Sequence, residues 1–481
     1  MVELIGILLV PAAAAVLSFF LAQRRAAIVT LIAGAGVAVL AVLVAGRVVS
    51  EGTVTALEGW LTCDPLAALV LVLVAFVGLT AALFSVGYIR GRQVSNGDRR
   101  GNYYPLYNLF LLSMLAVPLV ANIALVWISV ALTTLLSAFL VAYEDTPEAL
   151  EAAWKYVVLT TLGAVIALLG IVFLYWGLRL AGGGPFTWAE LLTAAPHAPR
   201  AILWTGFLLV LIGFGTKAGL APMHTWLPDA HSQAPAPICA LLSGVETTTA
   251  LYVVLRLFPV LNATGQTDAH TWFVVFGLIS TGAGALLLVY VRDYKRMFAF
   301  STVEHMGIIM VAVGLGSQAH FGAAYQMAAH ALAKSFCFYA AGAVALATGT
   351  QEIAGVRGLI RVSPAAAGAL ILGSLAIAGA PPFAVFMSEF TILKAGLGAT
   401  QYLVVGLLAV FIVVAFCAMM QHVNRMIFGL SGNARPAATS PATCSAALIL
   451  AAVPVLVLGV YLPTGFHRLL AGVAAALGGA P

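Results

Sequence analysis

Charge is what this chain has least of. Of its 481 residues only 8% are Asp, Glu, Lys or Arg, where a soluble domain carries about 25%. Cysteine is also scarce: Cys63, Cys239, Cys337, Cys417 and Cys444 lie far apart with no CxxC pair, which excludes a disulfide framework and an iron–sulfur ligand set. No nucleotide-binding glycine loop, no nucleophile–base pair in a loop and no metal-ligand cluster is present. There is no low-complexity tract and no polar stretch long enough for a soluble domain. What fills the chain is apolar: 62% of residues are hydrophobic, against roughly 45–50% in soluble domains. A soluble, disordered or nucleic-acid-binding protein is excluded despite the net charge of +5. The class is a polytopic membrane protein.

Runs long enough to span the hydrocarbon occur at 2–22, 26–46, 65–88, 104–121, 123–143, 156–178, 201–221, 237–258, 272–291, 297–317, 320–347, 365–385, 400–424 and 443–462. A span needs about 20 apolar residues, and helices satisfy their own backbone groups within lipid. The expectation is an all-α membrane protein of about fourteen helices, the whole of 1–481 forming one membrane domain. The first run has no basic flank ahead of it and Arg24 and Arg25 behind it, the reverse of a cleavable signal peptide.

The cations sort onto two faces. One takes Arg24, Arg25, Arg90, Arg92, Arg99, Arg100, Lys155, Arg292, Lys295, Arg296, Arg357, Arg361, Arg425 and Arg435; the other takes only Arg47, Arg179, Arg200, Arg256 and Arg468. The positive-inside rule makes the first face cytoplasmic and places both termini outside. Arginine outnumbers lysine and alanine is heavily used, which points to a GC-rich bacterial genome and the bacterial inner membrane.

Lys217, Lys334 and Lys394 fall inside helices. An ionisable group at mid-membrane costs from about 2.5–3.5 kcal/mol upward and marks either a polar pathway or a bridge locking helices together. Lys217 lies in GFGTKAGLAPMHTWLPDAHSQAPAP (213–237), interrupted by Gly219 and Pro222. A second interrupted run, AIAGAPPFAVFMSEFTILKAG (376–396), carries Pro381 and Pro382 just before Glu389. Two Gly/Pro-broken helices in comparable places in two halves are the sequence mark of a transporter ion site. Between them, His330 and Lys334 stand at i and i+4 on one helix face. Two cations there would repel, so His330 is expected neutral, able to accept on one nitrogen and donate from the other. In VRDYKRMFAFSTVEHMG (291–307), the opening cations read as a topology anchor and partner surface. Glu304 and His305 follow about two turns inside, where water can reach, and His305 reads as a way in for protons, as readily as a packing residue.

GFGTKAGLAPMHTWLPDAHSQAPAP, RDYKRMFAFSTVEHMG, HALAKSFCFYAAG and APPFAVFMSEF resemble the antiporter-like proton-translocating subunits of respiratory complex I and Mrp antiporters. EALEAAWKYVVLTTLG, NLFLLSMLAVPLVANIALVW and QHVNRMIFG place the chain nearest the hydrogenase-4 component F branch, over about 65–430. The resemblance implies two inverted five-helix repeats, about 104–258 and 272–428, each with a broken helix. It implies a polar axis through Lys217, His330, Lys334 and Glu389, and no long lateral helix.

Two departures stand out. The family's helix-five glutamate is Ala131 in WISVALTTLLSAF, and its helix-eight lysine is Thr248 in LLSGVETTTALY, with Glu246 two residues earlier. Either Glu246 pairs with Lys217 in place of the missing acid, or Lys217 is neutral and the first half does not conduct. Ser129, Thr133 and Ser137 can line a hydrated face of helix five in either case. The function expected is a proton-translocating membrane subunit of a multi-subunit redox complex, with protons passing His305, His330, Lys334 and Glu389 and Lys394 near the outer exit. Other membrane subunits, a soluble redox arm and the bilayer are its expected partners. Ni–Fe and Fe–S centres belong to partner subunits, and no cofactor or metal to this chain. A sodium/proton antiporter subunit of the Mrp kind, with Glu246 and Thr247–Thr249 as oxygen ligands, and a coupling-incompetent scaffold are the competing readings.

Overall fold

The computed structural model describes residues 2–96, 102–265, 268–430 and 440–478. Arg99, Arg100 and Arg435, which the topology reading used, lie outside the described residues, as does the side chain of Arg92. In chain order the helices are α1 (Val2–Phe20), α2 (Gln23–Glu51), α3 (Pro65–Asn96), α4 (Tyr103–Leu119), α5 (Ile123–Val141), α6 (Pro147–Leu180) and α7 (Trp188–Ala194). There follow α8 (Arg200–Ala218), α9 (Trp226–Gln233), α10 (Ala236–Leu241), α11 (Thr247–Ala263), α12 (Asp268–Val289), α13 (Tyr294–Gly314) and α14 (Ser317–Thr348). The last six are α15 (Leu359–Val362), α16 (Pro364–Ile377), α17 (Ala384–Gly398), α18 (Tyr402–Phe428), α19 (Ala442–Val460) and α20 (Thr464–Ala476). A π-turn, Leu242–Glu246, joins α10 to α11.

Among the described residues twelve helices are long and apolar enough to cross a membrane, and shorter apolar helices stand at Tyr103–Leu119 and Pro364–Ile377. Their starts follow local chemistry. Asn122 caps α5 by accepting from the Ala124 and Leu125 amides, and Thr146 caps α6, with Pro147 at its first position. Asp293 caps α13 through the Lys295 and Arg296 amides at 2.7 and 2.9 Å.

Burial separates centre from rim. The most apolar stretch of Ala236–Ala263 is wholly buried, that of α13 94% and that of α14 83%, whereas α19 is 22% and α18 28% buried. The inner helices therefore carry the polar residues, and the outer ones turn apolar side chains to lipid. Glycine sets the closest approach: a Cβ on Gly284 of α12 would stand 2.7 Å from the Glu304 amide of α13.

Two features went unread in the sequence. Val54–Ala56 and Leu61–Cys63 form a two-stranded antiparallel hairpin between α2 and α3, with Thr55 opposite Thr62. Beyond α19, α20 buries Leu469, Leu470, Val473 and Ala474 and packs against α3 and α14.

Candidate functional site: a buried polar row

The first broken helix ends at Lys217-Ala218, and Gly219 (φ 79°) takes the left-handed position that closes it. The Trp226 indole donates to the Thr216 carbonyl at 2.8 Å, satisfying one of the acceptors that the break exposes. Lys217 is 3% exposed. Its ammonium reaches Glu246 Oε1 at 2.5 Å, Thr134 Oγ1 at 2.7 Å and Tyr156 Oη at 2.7 Å, so all three of its donors are used. Glu246 Oε1 also accepts from Ser137 at 3.2 Å and Tyr156 at 3.0 Å, while Oε2 is buried without a partner among the described residues. The acid absent at Ala131 is thus supplied from the π-turn. Thr134, one turn beyond Ala131, fills the space on α5. Of the hydroxyls expected along α5, Ser137 joins the pair, but Ser129 and Thr133 bond their own helix at Leu125 and Val130.

The same π-turn faces the other half. The Ser243 carbonyl lies 3.1 Å from His330 Nε2, and the Ser243 hydroxyl lies 2.6 Å from Thr302 Oγ1. The His330 and His305 rings are 5.3 Å apart. His305 Nε2 meets the Ile377 carbonyl at 2.9 Å, at the end of α16, where the second break begins. Its Nδ1 lies 2.7 Å from Gln326 Nε2, and the Gln326 carbonyl accepts from Ser388. Ser388 precedes Glu389, which is 5% exposed and whose carboxylate lies against Gly379 (φ 75°), the residue that ends α16.

Lys334 is fully buried one turn beyond His330. Its ammonium donates to the Phe298 carbonyl at 2.7 Å and to Ser301 Oγ at 2.7 Å. Among the described residues no carboxylate lies within 4 Å of it. Glu304 is buried within electrostatic reach of both Lys334 and Glu389.

Three sequence expectations need correction. His305 and Glu304 are not open to water. His305 lies about 18 Å of helix beyond the Asp293 cap, where it is 1% exposed and Glu304 4%. Lys394 does not join the row, because five residues turn a helix about 500°, which puts it some 140° from Glu389, exposed between Phe390 and Leu397. Lys295 is not part of an open partner surface: it is buried and donates to the Ser232 and Ala234 carbonyls at the end of α9, at 2.9 and 2.7 Å. Beside it Arg296 pairs with Asp229 at 2.6 Å, and Lys155 reaches the same carboxylate at 3.4 Å.

The sequence reading missed Tyr156, Thr134, Ser243, Thr302, Gln326 and Ser388. Gln326 had a signal: it stands one turn before His330, extending the i, i+4 spacing to Gln326, His330 and Lys334. Among the described residues no group of three or more His, Cys, Asp or Glu is arranged to hold a metal ion. Thr247, Thr248 and Thr249 do not converge on Glu246. Each hydroxyl donates to its own helix, at Ser243, Gly244 and Glu246 respectively.

The comparisons agree with the motifs. The chain is 37% identical over 375 residues to a hydrogenase-4 component F homolog of Methylacidiphilum infernorum, spanning 76% of this chain and 78% of that protein. It is 30% identical over 396 residues to NADH-quinone oxidoreductase subunit N of Desulforudis audaxviator, spanning 78% and 76%. Its fold matches a chain of the membrane-bound sulfane sulfur reductase, an archaeal respiratory membrane complex, with a TM-score of 0.88 at 24% identity over 99% of this chain and 98% of that one. Residues 120–415 match the family described as NADH:quinone oxidoreductase/Mrp antiporter, transmembrane. A multi-pass chain whose broken helices present a buried lysine and a buried glutamate, and which matches that family over most of its core, belongs to it.

Proposed function

We propose that this chain is a proton-conducting membrane subunit of a multi-subunit redox complex of the hydrogenase-4 or NADH–quinone oxidoreductase kind. The observation that supports this best is the row from Lys217 and Glu246 through Ser243, His330, His305, Gln326 and Ser388 to Glu389. It strings titratable and hydroxyl groups across the interior of the bundle, where burying ionisable groups costs free energy and so marks a functional path. His305 is bonded at both ring nitrogens, accepting at one and donating from the other as a relay needs, and His330 bonds at Nε2 while its Nδ1 has no partner among the described residues. Lys334, held by a carbonyl and a hydroxyl instead of an acid, gains and loses its proton without breaking an ion pair.

In this reading the residues of the pathway are Lys217, Glu246, Lys334, His330, His305 and Glu389, with breaks at Gly219, Pro222, Pro381 and Pro382. Two repeats, about 104–258 and 272–428, each contribute one broken helix. Electron transfer takes place on partner subunits that carry the Ni–Fe and Fe–S centres, and a soluble redox arm docks on the complex from the cytoplasm. The chain sits in a bacterial inner membrane with both termini outside. Sodium exchange has less support, because the cation position beside Glu246 is filled by the Lys217 ammonium and the three threonines point elsewhere.

The test is proton movement by the assembled complex in sealed vesicles. Glu389→Gln and Lys334→Ala are expected to lower the protons moved per electron while electron transfer persists. Unchanged stoichiometry in both variants would overturn the proposal and leave a scaffold. Dependence of proton movement on sodium would replace it with the antiporter reading.

A further inference from the structure

We propose that the side-chain amide of Gln326 is a two-position switch that must invert before His305 can hold a second proton; this rests on the proton-path reading. The argument begins with hydrogen-bond polarity. A backbone carbonyl only accepts, so the 2.9 Å contact with Ile377 O fixes the hydrogen of neutral His305 on Nε2. The 2.7 Å contact of Nδ1 with Gln326 Nε2 then runs from the amide to the bare ring nitrogen. The other end of that amide, Oε1, accepts the Ser388 hydroxyl.

A proton reaching His305 can settle only on Nδ1. It gives an imidazolium whose Nε2–H stays on Ile377 and whose new Nδ1–H faces the NH2 of Gln326. Donor then meets donor. An amide nitrogen does not pass its own hydrogen on, so in this orientation Gln326 blocks the site it fills. A half-turn about the terminal bond of Gln326 exchanges oxygen and nitrogen at nearly the same places, about a torsion that is broad and roughly two-fold. Oε1 then accepts from Nδ1–H, and the NH2 donates to Ser388 Oγ.

Ser388 has an answer to each state. Its oxygen lies 2.8 Å from the Val385 carbonyl and 3.1 Å from the Ala384 carbonyl, so its hydrogen has an acceptor when Gln326 withdraws one. Both orientations are fully bonded, which is what a two-state element requires. Release of the proton from Nδ1 returns the amide to its first orientation. His330 and Lys334 on α14 lie within electrostatic reach of His305; Glu304 adjoins it in sequence on α13, Glu389 follows Ser388 on α17, and α16 brings no ionisable side chain. Because Ser388 and Glu389 are neighbours, the turn of one amide reports the charge of His305 to the first turn of α17.

The test uses the assembled complex. Infrared difference spectra between acidic and alkaline buffer are expected to show a glutamine amide carbonyl band. That band should shift with 13C-glutamine and vanish in both Gln326→Met and His305→Phe. Proton movement in sealed vesicles should fall roughly tenfold or more in Gln326→Met. It should largely recover in Gln326→Glu, whose protonated carboxyl gives and takes without rotating. Absence of the band in the wild-type complex, or proton movement in Gln326→Met within a factor of about two of wild type, overturns the switch. The band is read in the wild type, so it decides the matter even if Gln326→Met fails to assemble. Glu389→Gln and Lys334→Ala separate the two proposals: if both also move protons normally, the pathway itself falls, whereas loss of proton movement in them beside an active Gln326→Met removes only the switch.

Discussion

The two broken helices answer the same problem with opposite electrostatics. Each ends at a left-handed glycine, Gly219 or Gly379, and each has an exposed carbonyl caught by a ring nitrogen, from Trp226 in one and His305 in the other. At the first break the charged group is a base locked to an acid: Lys217 sits 2.5 Å from Glu246 with Thr134 and Tyr156 completing its shell. At the second the acid, Glu389, stands against Gly379, and the buried Lys334 bonds neutral partners, the Phe298 carbonyl and the Ser301 hydroxyl. A closed buried pair resists losing either member, because the one left behind is an uncompensated buried charge. A base solvated by neutral groups changes charge without breaking an ion pair. The first half of the chain thus keeps its base in a closed ion pair, whereas the second bonds its base to neutral groups.

The largest expected effect breaks the first half. Glu246→Ala strands the Lys217 ammonium and should cost about 3–5 kcal/mol, read as a lower unfolding temperature of the detergent-extracted complex. Adding Ala131→Glu, which puts an acid back on α5 one turn from Thr134, should recover part of the loss. No loss in the single variant would show that the pair contributes nothing. Next comes Gly379→Ala. The left-handed position alone costs about 1–2 kcal/mol, and the new methyl overlaps the Glu389 carboxylate, so transport should fail along with stability. Gly219→Ala makes the matching control, because its methyl meets the mobile end of Leu227 at 2.5 Å and not a charged group. Equal transport defects in the two would erase the distinction between the breaks.

Smaller still is Lys334→Met. With no acid hydrogen-bonded to the lysine, it should stay within about 1 kcal/mol of wild-type stability while lowering proton movement. Lys217→Met, by contrast, should destabilise by orphaning Glu246. Similar unfolding temperatures for the two lysine variants would contradict the electrostatic contrast. Last, Lys394→Gln should change stability by no more than about 0.5 kcal/mol and leave proton movement intact, since that side chain points outward.

Most of the architecture was legible because lipid imposes a length and a composition on every span. The central residues could be found for the same reason: a lysine among apolar residues has few explanations. What escaped was of two kinds. Lys394 and His305 were misread because burial and helical phase depend on where a helix begins, and the Asp293 cap starts α13 three residues before the apolar run at 297–317. Gln326, Ser388, Ser243 and Thr302 were missed because uncharged polar residues are cheap enough in a helix to pass unnoticed. Only their convergence from four segments of the chain gives them meaning. The missing acid at Ala131 was visible as a gap. That Glu246 fills it depends on the π-turn, whose extra residue per turn no local pattern announces.

That turn has a mechanical consequence. Ser243 and Glu246 occupy one widened loop of backbone, the carbonyl of the first engaging His330 and the carboxylate of the second engaging Lys217. Tightening it to ordinary helical pitch would rotate both contacts at once. A shift of register there would therefore be felt on both sides of the molecule together, like a shared axle between two wheels.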